Sequence, residues 1–223
     1  MAEPTADGVA GGREPAGSSR PAEARSIVPA DPADRDVAAE TLALAFQDDP
    51  VFCWMLPDAE RGRARLPRLF ALLFEAETTQ GRILKSARGE AISFWRPPGK
   101  AGTPAADIVR NAWPLARIFG LGVGRALAVS NAIEAHFPKD TPFWYAHFVA
   151  VRPDAQGHGW GAALVRAGIA LAEAADMPIY LETARPENVG FYQGRGFAVT
   201  AEWTIPKGPR FWSMVRPPGQ AVA

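Results

Sequence analysis

Apolar residues recur with helical spacing from Ala59 to Gln80. Leu66, Leu69, Phe70, Leu72, Leu73 and Phe74 share one broad face, and Gly81 ends the run. That pattern predicts a long helix packed on a core. Two alternating runs follow, Ile83 to Ala87 and Ala91 to Trp95, separated by Arg88-Gly89-Glu90. They predict a β-hairpin that Pro97-Pro98-Gly99-Lys100 terminates. Before the long helix, Ser26 to Pro29 reads as a short first strand and Ala33 to Phe46 as a helix capped by Asp31 or Asp34. Phe46 to Asp58 combines prolines, aspartates and large apolar residues, and predicts a structured loop.

Residues 103 to 138 carry helical periodicity in two segments, broken at Gly120-Leu121-Gly122-Val123-Gly124. They read as an insertion placed to cover a pocket. Pro142 to Val151 is apolar on both faces and predicts a buried central strand. Ile179 to Ala184 is a second buried strand that carries one charge, Glu182. Glu187 to Gln193 is a short helix after Pro186. Phe197 to Ile205 and Pro209 to Val215 form a terminal hairpin. The first 24 residues hold almost no large apolar side chain. They cannot offset their ordering entropy, so a disordered leader (1–24), one domain (25–218) and a flexible C-terminus (219–223) are expected.

The stretch with the most chemical content joins the central strand to the next helix. Pro153 and Asp154 stop the strand, Gly157, Gly159 and Gly161 follow at alternate positions, and Ala162 to Ala175 continue as an apolar helix. Glycines let backbone approach a ligand closely. The first helical N–H groups lack partners and, with the helix dipole, attract an anion. Residues 156 to 162 therefore read as a pyrophosphate cradle. No Lys or hydroxyl follows the glycines as a Walker A loop requires, and Gly-x-Gly-x-Gly is not the dinucleotide spacing Gly-x-Gly-x-x-Gly.

Composition narrows the classes. Formal net charge is zero, from 24 basic and 24 acidic residues, which argues against nucleic acid or an anionic membrane as the main partner. The single cysteine, Cys53, excludes an internal disulfide and has no evident base beside it, so acyl-cysteine chemistry is not expected. Three scattered histidines suggest no metal site. No stretch approaches a membrane span and the N-terminus lacks a signal peptide's basic start and apolar segment, so a cytoplasmic monomer or homodimer is expected.

Gln156-x-x-Gly159-x-Gly161 resembles the acetyl-CoA loop of the GNAT N-acetyltransferases. Leu181-Glu182-Thr183, Asn188, Phe191-Tyr192 and Gly196-Phe197 look like that family's second signature block. The tail from Phe197 to Arg216 is similar to that of its puromycin N-acetyltransferase branch. The resemblance is strong from about Phe143 to Pro217 and only topological before that. It implies an α/β GNAT fold, a mixed central sheet of six to seven strands flanked by helices with a helical insertion before the central strand. It also implies acetyl-CoA as co-substrate.

On that resemblance the backbone at Val149, Ala150 and Val151 pairs with an extended pantetheine arm, which is strand addition by a ligand. Gln156, Gly157, His158, Gly159, Trp160, Gly161 and Ala162 hold the pyrophosphate, and Asn188 contacts the amide arm. Tyr192 is the general acid, since a phenol with a pKa of about 10 stays protonated at neutral pH. Glu182 is costly to bury unless paired or functional. It reads as general base, as a site for an acceptor cation, or as an ion-pair partner of Arg185 or Arg210. His147 is a rival base, with an unperturbed pKa of about 6.5. Asp48, Asp49, Trp54, Trp144 and Tyr145 are candidate acceptor contacts. The expected reaction is acetylation of a primary amine on a small molecule, an antibiotic or nucleoside-like amine among them, in a ternary complex. A protein N-terminal or lysine acetyltransferase and a non-catalytic acetyl-CoA sensor are the alternatives.

Overall fold

A computed structural model describes residues 25–220. The expected leader (1–24) and the last three residues lie outside that range. Gly219 N–H donates to Glu173, and the Gln220 carbonyl accepts from Arg216, so the first two residues of the expected flexible tail are hydrogen-bonded.

Seven strands form one mixed sheet: β1 (Ile27–Pro29), β2 (Arg82–Ser86), β3 (Ala91–Arg96), β4 (Trp144–Val151), β5 (Ile179–Thr183), β6 (Ala198–Thr204) and β7 (Arg210–Arg216). Their order is β1-β2-β3-β4-β5-β7-β6, and only β4 and β5 pair in parallel. One face is covered by α1 (Arg35–Phe46), α2 (Pro50–Met55) and α3 (Ala59–Gln80), the other by α7 (Trp160–Glu173) and α8 (Pro186–Gln193). The insertion forms α4 (Ala105–Arg110), α5 (Ala112–Phe119) and α6 (Val123–Ala135) and joins the α1–α3 side.

Three local features set the site. First, the expected loop after Phe46 is instead the short helix α2. Asp49 accepts from Val51 N–H as its N-cap, and Pro50 supplies a preset first helical turn. Second, β4 bulges against β3. Phe94 pairs with Phe148 and Trp95 with Ala146, so His147 is the extra residue. The bulge places His147 and Phe148 toward α1 and α3. Phe148 packs edge-on against Phe46, Phe70 and Phe94. Third, β4 and β5 pair only at Trp144–Ile179 and Tyr145–Tyr180 and then diverge. Beyond Tyr145, β4 is paired on its β3 side alone, and a wedge opens between the two strands.

Helix α7 lies close on the sheet. A Cβ at Gly168 would fall 1.9 Å from the Trp95 ring, so only glycine admits this approach. Trp95 is fully buried and donates its indole N–H to Ser93 Oγ at 2.9 Å.

One expectation about the chain as a whole changes. The run Ala112–Ala135 is long and apolar enough, by length and hydropathy, to meet the usual measure of a membrane span. It is not one helix. Gly120, with φ of 53°, separates α5 from α6, and Arg117 and Arg125 interrupt the apolar sequence.

Candidate active site

The wedge between β4 and β5 opens into a cavity of about 1090 Å³ that crosses the molecule from the glycine turn to the insertion. Its first half is lined by Val149, Ala150, Val151, Gln156, Gly157, Gly159, Trp160, Gly161, Ala162 and Asn188. All were expected at the carrier site. His158 is not among the lining residues; its side chain is exposed, with Nδ1 3.3 Å from the Ala155 carbonyl oxygen.

The turn follows from its residues. Gly157 and Gly159 have φ of 76° and 81°, which side chains resist, and Gly159 is the N-cap of α7. The first N–H groups of α7 point out of the helix with no helical acceptor, as at any helix start. Gln156 donates its amide to the Val151 carbonyl at 3.3 Å, tying the loop to the end of β4. One cation that sequence reasoning missed stands here. The Arg25 guanidinium lies beside Gly159, where an added Cβ would meet it at 3.2 Å. An open strand edge, left-handed glycines, a helix N-terminus and an arginine together suit an extended, amide-bearing arm that ends in a pyrophosphate.

The middle of the cavity holds the charges. Glu182, on β5, has neither of the arginine partners open to it from sequence. Arg185 pairs with Asp49 at 3.5 Å and Glu187 at 3.2 Å, and Arg210 lies 3.6 Å from Glu202. Instead the Tyr145 hydroxyl donates to Glu182 Oε1, and Oε2 is buried without a partner among the described residues. Burial pushes the Glu182 carboxyl up to about 8, against the opposing pull of the Tyr145 hydrogen bond. Tyr192, on α8, is buried. Burial first, then the nearby Glu182, raise its phenol above the ordinary range, and Arg195 partly offsets them. Asn188 gives its amide to Thr183 Oγ1 at 3.3 Å, the same hydroxyl that accepts Arg185 N–H at the start of α8.

His147 is held in a network that sequence reasoning did not find. Oε1 of the buried Glu77 accepts from Arg96 Nε at 2.7 Å and contacts His147 Nδ1 at 2.8 Å. A carboxylate only accepts, so Nδ1 carries the hydrogen and Nε2 is the free lone pair. Burial, aided by the Arg96 charge, lowers His147 to about 4 despite Glu77. The ring is neutral at physiological pH, and the His147 hydrogen bond, with Arg96 beside it, keeps Glu77 ionised against its burial. His147 is thus a fixed neutral acceptor, and Glu182 is the carboxyl placed near neutrality.

The second half of the cavity is apolar. Phe46, Phe52, Leu69, Leu73, Leu115 and Phe119 wall it, and Ile108, Leu127 and Ile133 of the insertion continue the wall. The insertion therefore lines the cavity, as expected of it. Gln80, Thr103, Asp107, Asn111, Ser130 and Glu134 interrupt this wall. Of the five candidate acceptor contacts, Asp49 and Tyr145 line the cavity. The other three do not. Asp48 is exposed and paired with Arg63 at 2.5 Å, and Trp54 donates to the Lys207 carbonyl at 2.8 Å. Trp144 is buried on the opposite face of the sheet, under α7.

Residues 114–197 match the model of the acetyltransferase (GNAT) family. An uncharacterized N-acetyltransferase of Schizosaccharomyces pombe is 28% identical over 174 residues, covering 74% of this chain and 70% of that protein. A solved Corynebacterium glutamicum protein, named as histone acetyltransferase HPA2 and related acetyltransferase, superposes with a TM-score of 0.67. It is 28% identical, over 89% of this chain and 98% of that one. The fold is the GNAT fold. In class the chain is an acetyl-CoA-dependent N-acetyltransferase. A polyamine N-acetyltransferase of Drosophila melanogaster, 13% identical with a TM-score of 0.55 over 86% of this chain and 100% of that one, shares the same GNAT architecture.

Proposed function

We propose that this GNAT chain transfers acetyl from acetyl-CoA to a primary amine of a small molecule, by direct attack in a ternary complex. The observation that carries the reading is the single cavity in which the glycine cradle, Glu182, Tyr192 and an apolar chamber meet. Bound acetyl-CoA would supply a thioester carbonyl as electrophile. The residues supply the rest. The open edge of β4 orients the carrier arm, and the start of α7 with Arg25 offsets its phosphate charge. Glu182 Oε2 accepts the ammonium proton, directly or through a water, because a carboxyl with a pKa near 8 is a competent base at neutral pH. Tyr192 remains protonated and donates to the departing thiolate.

A chamber walled largely by aliphatic and aromatic side chains suits an amine with an apolar body. The likeness of the tail to the puromycin N-acetyltransferase branch puts nucleoside-like and antibiotic amines in the panel to be tried. Incubation with labelled acetyl-CoA, a panel of small amines and, separately, a proteome tests the reading. Label is expected on small amines; label on protein termini or lysines alone would overturn it.

A further inference from the structure

Four buried side-chain polar atoms lack a hydrogen-bond partner among the described residues: Glu77 Oε2, Gln80 Oε1, Trp144 Nε1 and Glu182 Oε2. Trp144 belongs to the far face of the sheet, and Glu77 Oε2 is turned toward Gly81, away from the cavity lining. The other two residues line the cavity. Leaving such atoms unpaired costs free energy that a ligand can recover.

Gln80 ends α3 and is 8% exposed. Its amide nitrogen donates to Asp107 Oδ2. Asp107 is a carboxylate and only accepts, so the orientation of the amide is chemically fixed and Oε1 must be the free atom. Asp107 is itself held by Arg110. Gln80 is thus braced between α3 and α4 where it lines the cavity, with its oxygen buried and unpaired among the described residues.

With Glu182 ionised both vacant atoms at the cavity are acceptors, and an amine with one polar group can satisfy only one of them. We propose that the acceptor carries a second hydrogen-bond donor, a hydroxyl or further amine set apart from the reacting amine by an apolar segment, and that Gln80 Oε1 receives it. This rests on the acetyl-transfer reading, with Glu182 Oε2 taking the reacting amine. Specificity of this kind is strong because a substrate without the donor leaves the buried oxygen unpaired.

Straight-chain ω-amino alcohols of increasing length, each compared with the n-alkylamine of equal length, test it. At one length the hydroxyl should raise kcat/KM about tenfold, through KM. Gln80→Leu, and Gln80→Met as a second apolar variant, should bring that ratio close to one. Calorimetry of the same amines without acetyl-CoA should show the same loss of preference. Equal rates and affinities for both series at every length, or a preference that survives both variants, would overturn the proposal. If no amine were acetylated, the transfer reading would fall, and the calorimetric ratio would still decide the role of Gln80.

Discussion

The Tyr145 hydroxyl donates to Oε1 of Glu182 and leaves Oε2 of the same carboxylate buried and unpaired among the described residues, at the cavity's edge. A single phenol therefore holds the carboxyl assigned to accept the amine's proton. It also stabilises the charged form that burial disfavours. The parallel pairing of Tyr145 with Tyr180 brings the two residues together, because it fixes β4 and β5 just before they part.

Glu182 should cost stability as pH rises. Its folded pKa of about 8 lies above the unfolded value of about 4.3. Between those values the unfolded chain releases the proton and the folded chain keeps it, so stability falls with rising pH. Glu182→Gln removes that dependence. In thermal unfolding the variant should gain Tm relative to wild type, and the gain should be larger at pH 8.5 than at pH 5. A gain independent of pH would place the carboxyl in a less buried setting.

Tyr145→Phe should push Glu182 further up, since the lost hydrogen bond is the main factor opposing burial. The groups around it are Tyr180, Tyr192 and, through Tyr145, Arg96. None replaces the lost donor. The rising limb of the pH profile of kcat/KM should therefore move to more alkaline pH. An unmoved limb with a uniformly lower rate would reduce Tyr145 to packing.

Gly159→Glu should abolish acetyl-CoA binding in calorimetry, because it forces a side chain onto a left-handed position and sets a carboxylate at the anion cradle. Tyr192→Phe should do the converse, with carrier affinity kept and turnover lowered. Retained affinity in the first or retained turnover in the second contradicts the assigned role.

Gly168→Ala should lower stability by about 1–3 kcal/mol or more, as overpacking does in a tight core. The new methyl has nowhere to go but into the Trp95 ring, which is buried on all sides. Urea unfolding measures it; a neutral result would mean that α7 can lift from β3 at little cost.

The fold was largely legible because its elements are locally encoded. The apolar stripe of α3, the glycine-flanked hairpins and the strand–turn–helix at Val151–Gly161 each carry their own signal. Helix α2 was missed although Asp49-Pro50 is a helix-start pair, because the aromatic run after it has no helical period. The site was half legible. Glu182 stands out as a charge in a buried strand, and Tyr192 comes from the family resemblance. Glu77 and Gln80 left a fainter mark: they continue the stripe of Phe70 and Phe74 at helical spacing, as polar residues on an apolar face. Arg96 and Tyr145 could not be placed beside them without the register of β3 on β4. The bulge that delivers His147 to Glu77 leaves no trace in composition or period.

The most direct test of the account is the pH dependence of amine acetylation in wild type and Glu182→Gln, with any acceptor found in the panel. The account predicts a wild-type kcat/KM that rises with pH to a limb near 8, and a variant that is at least about a hundredfold slower with that limb gone. A Glu182→Gln enzyme with wild-type rate and an unchanged limb would contradict it.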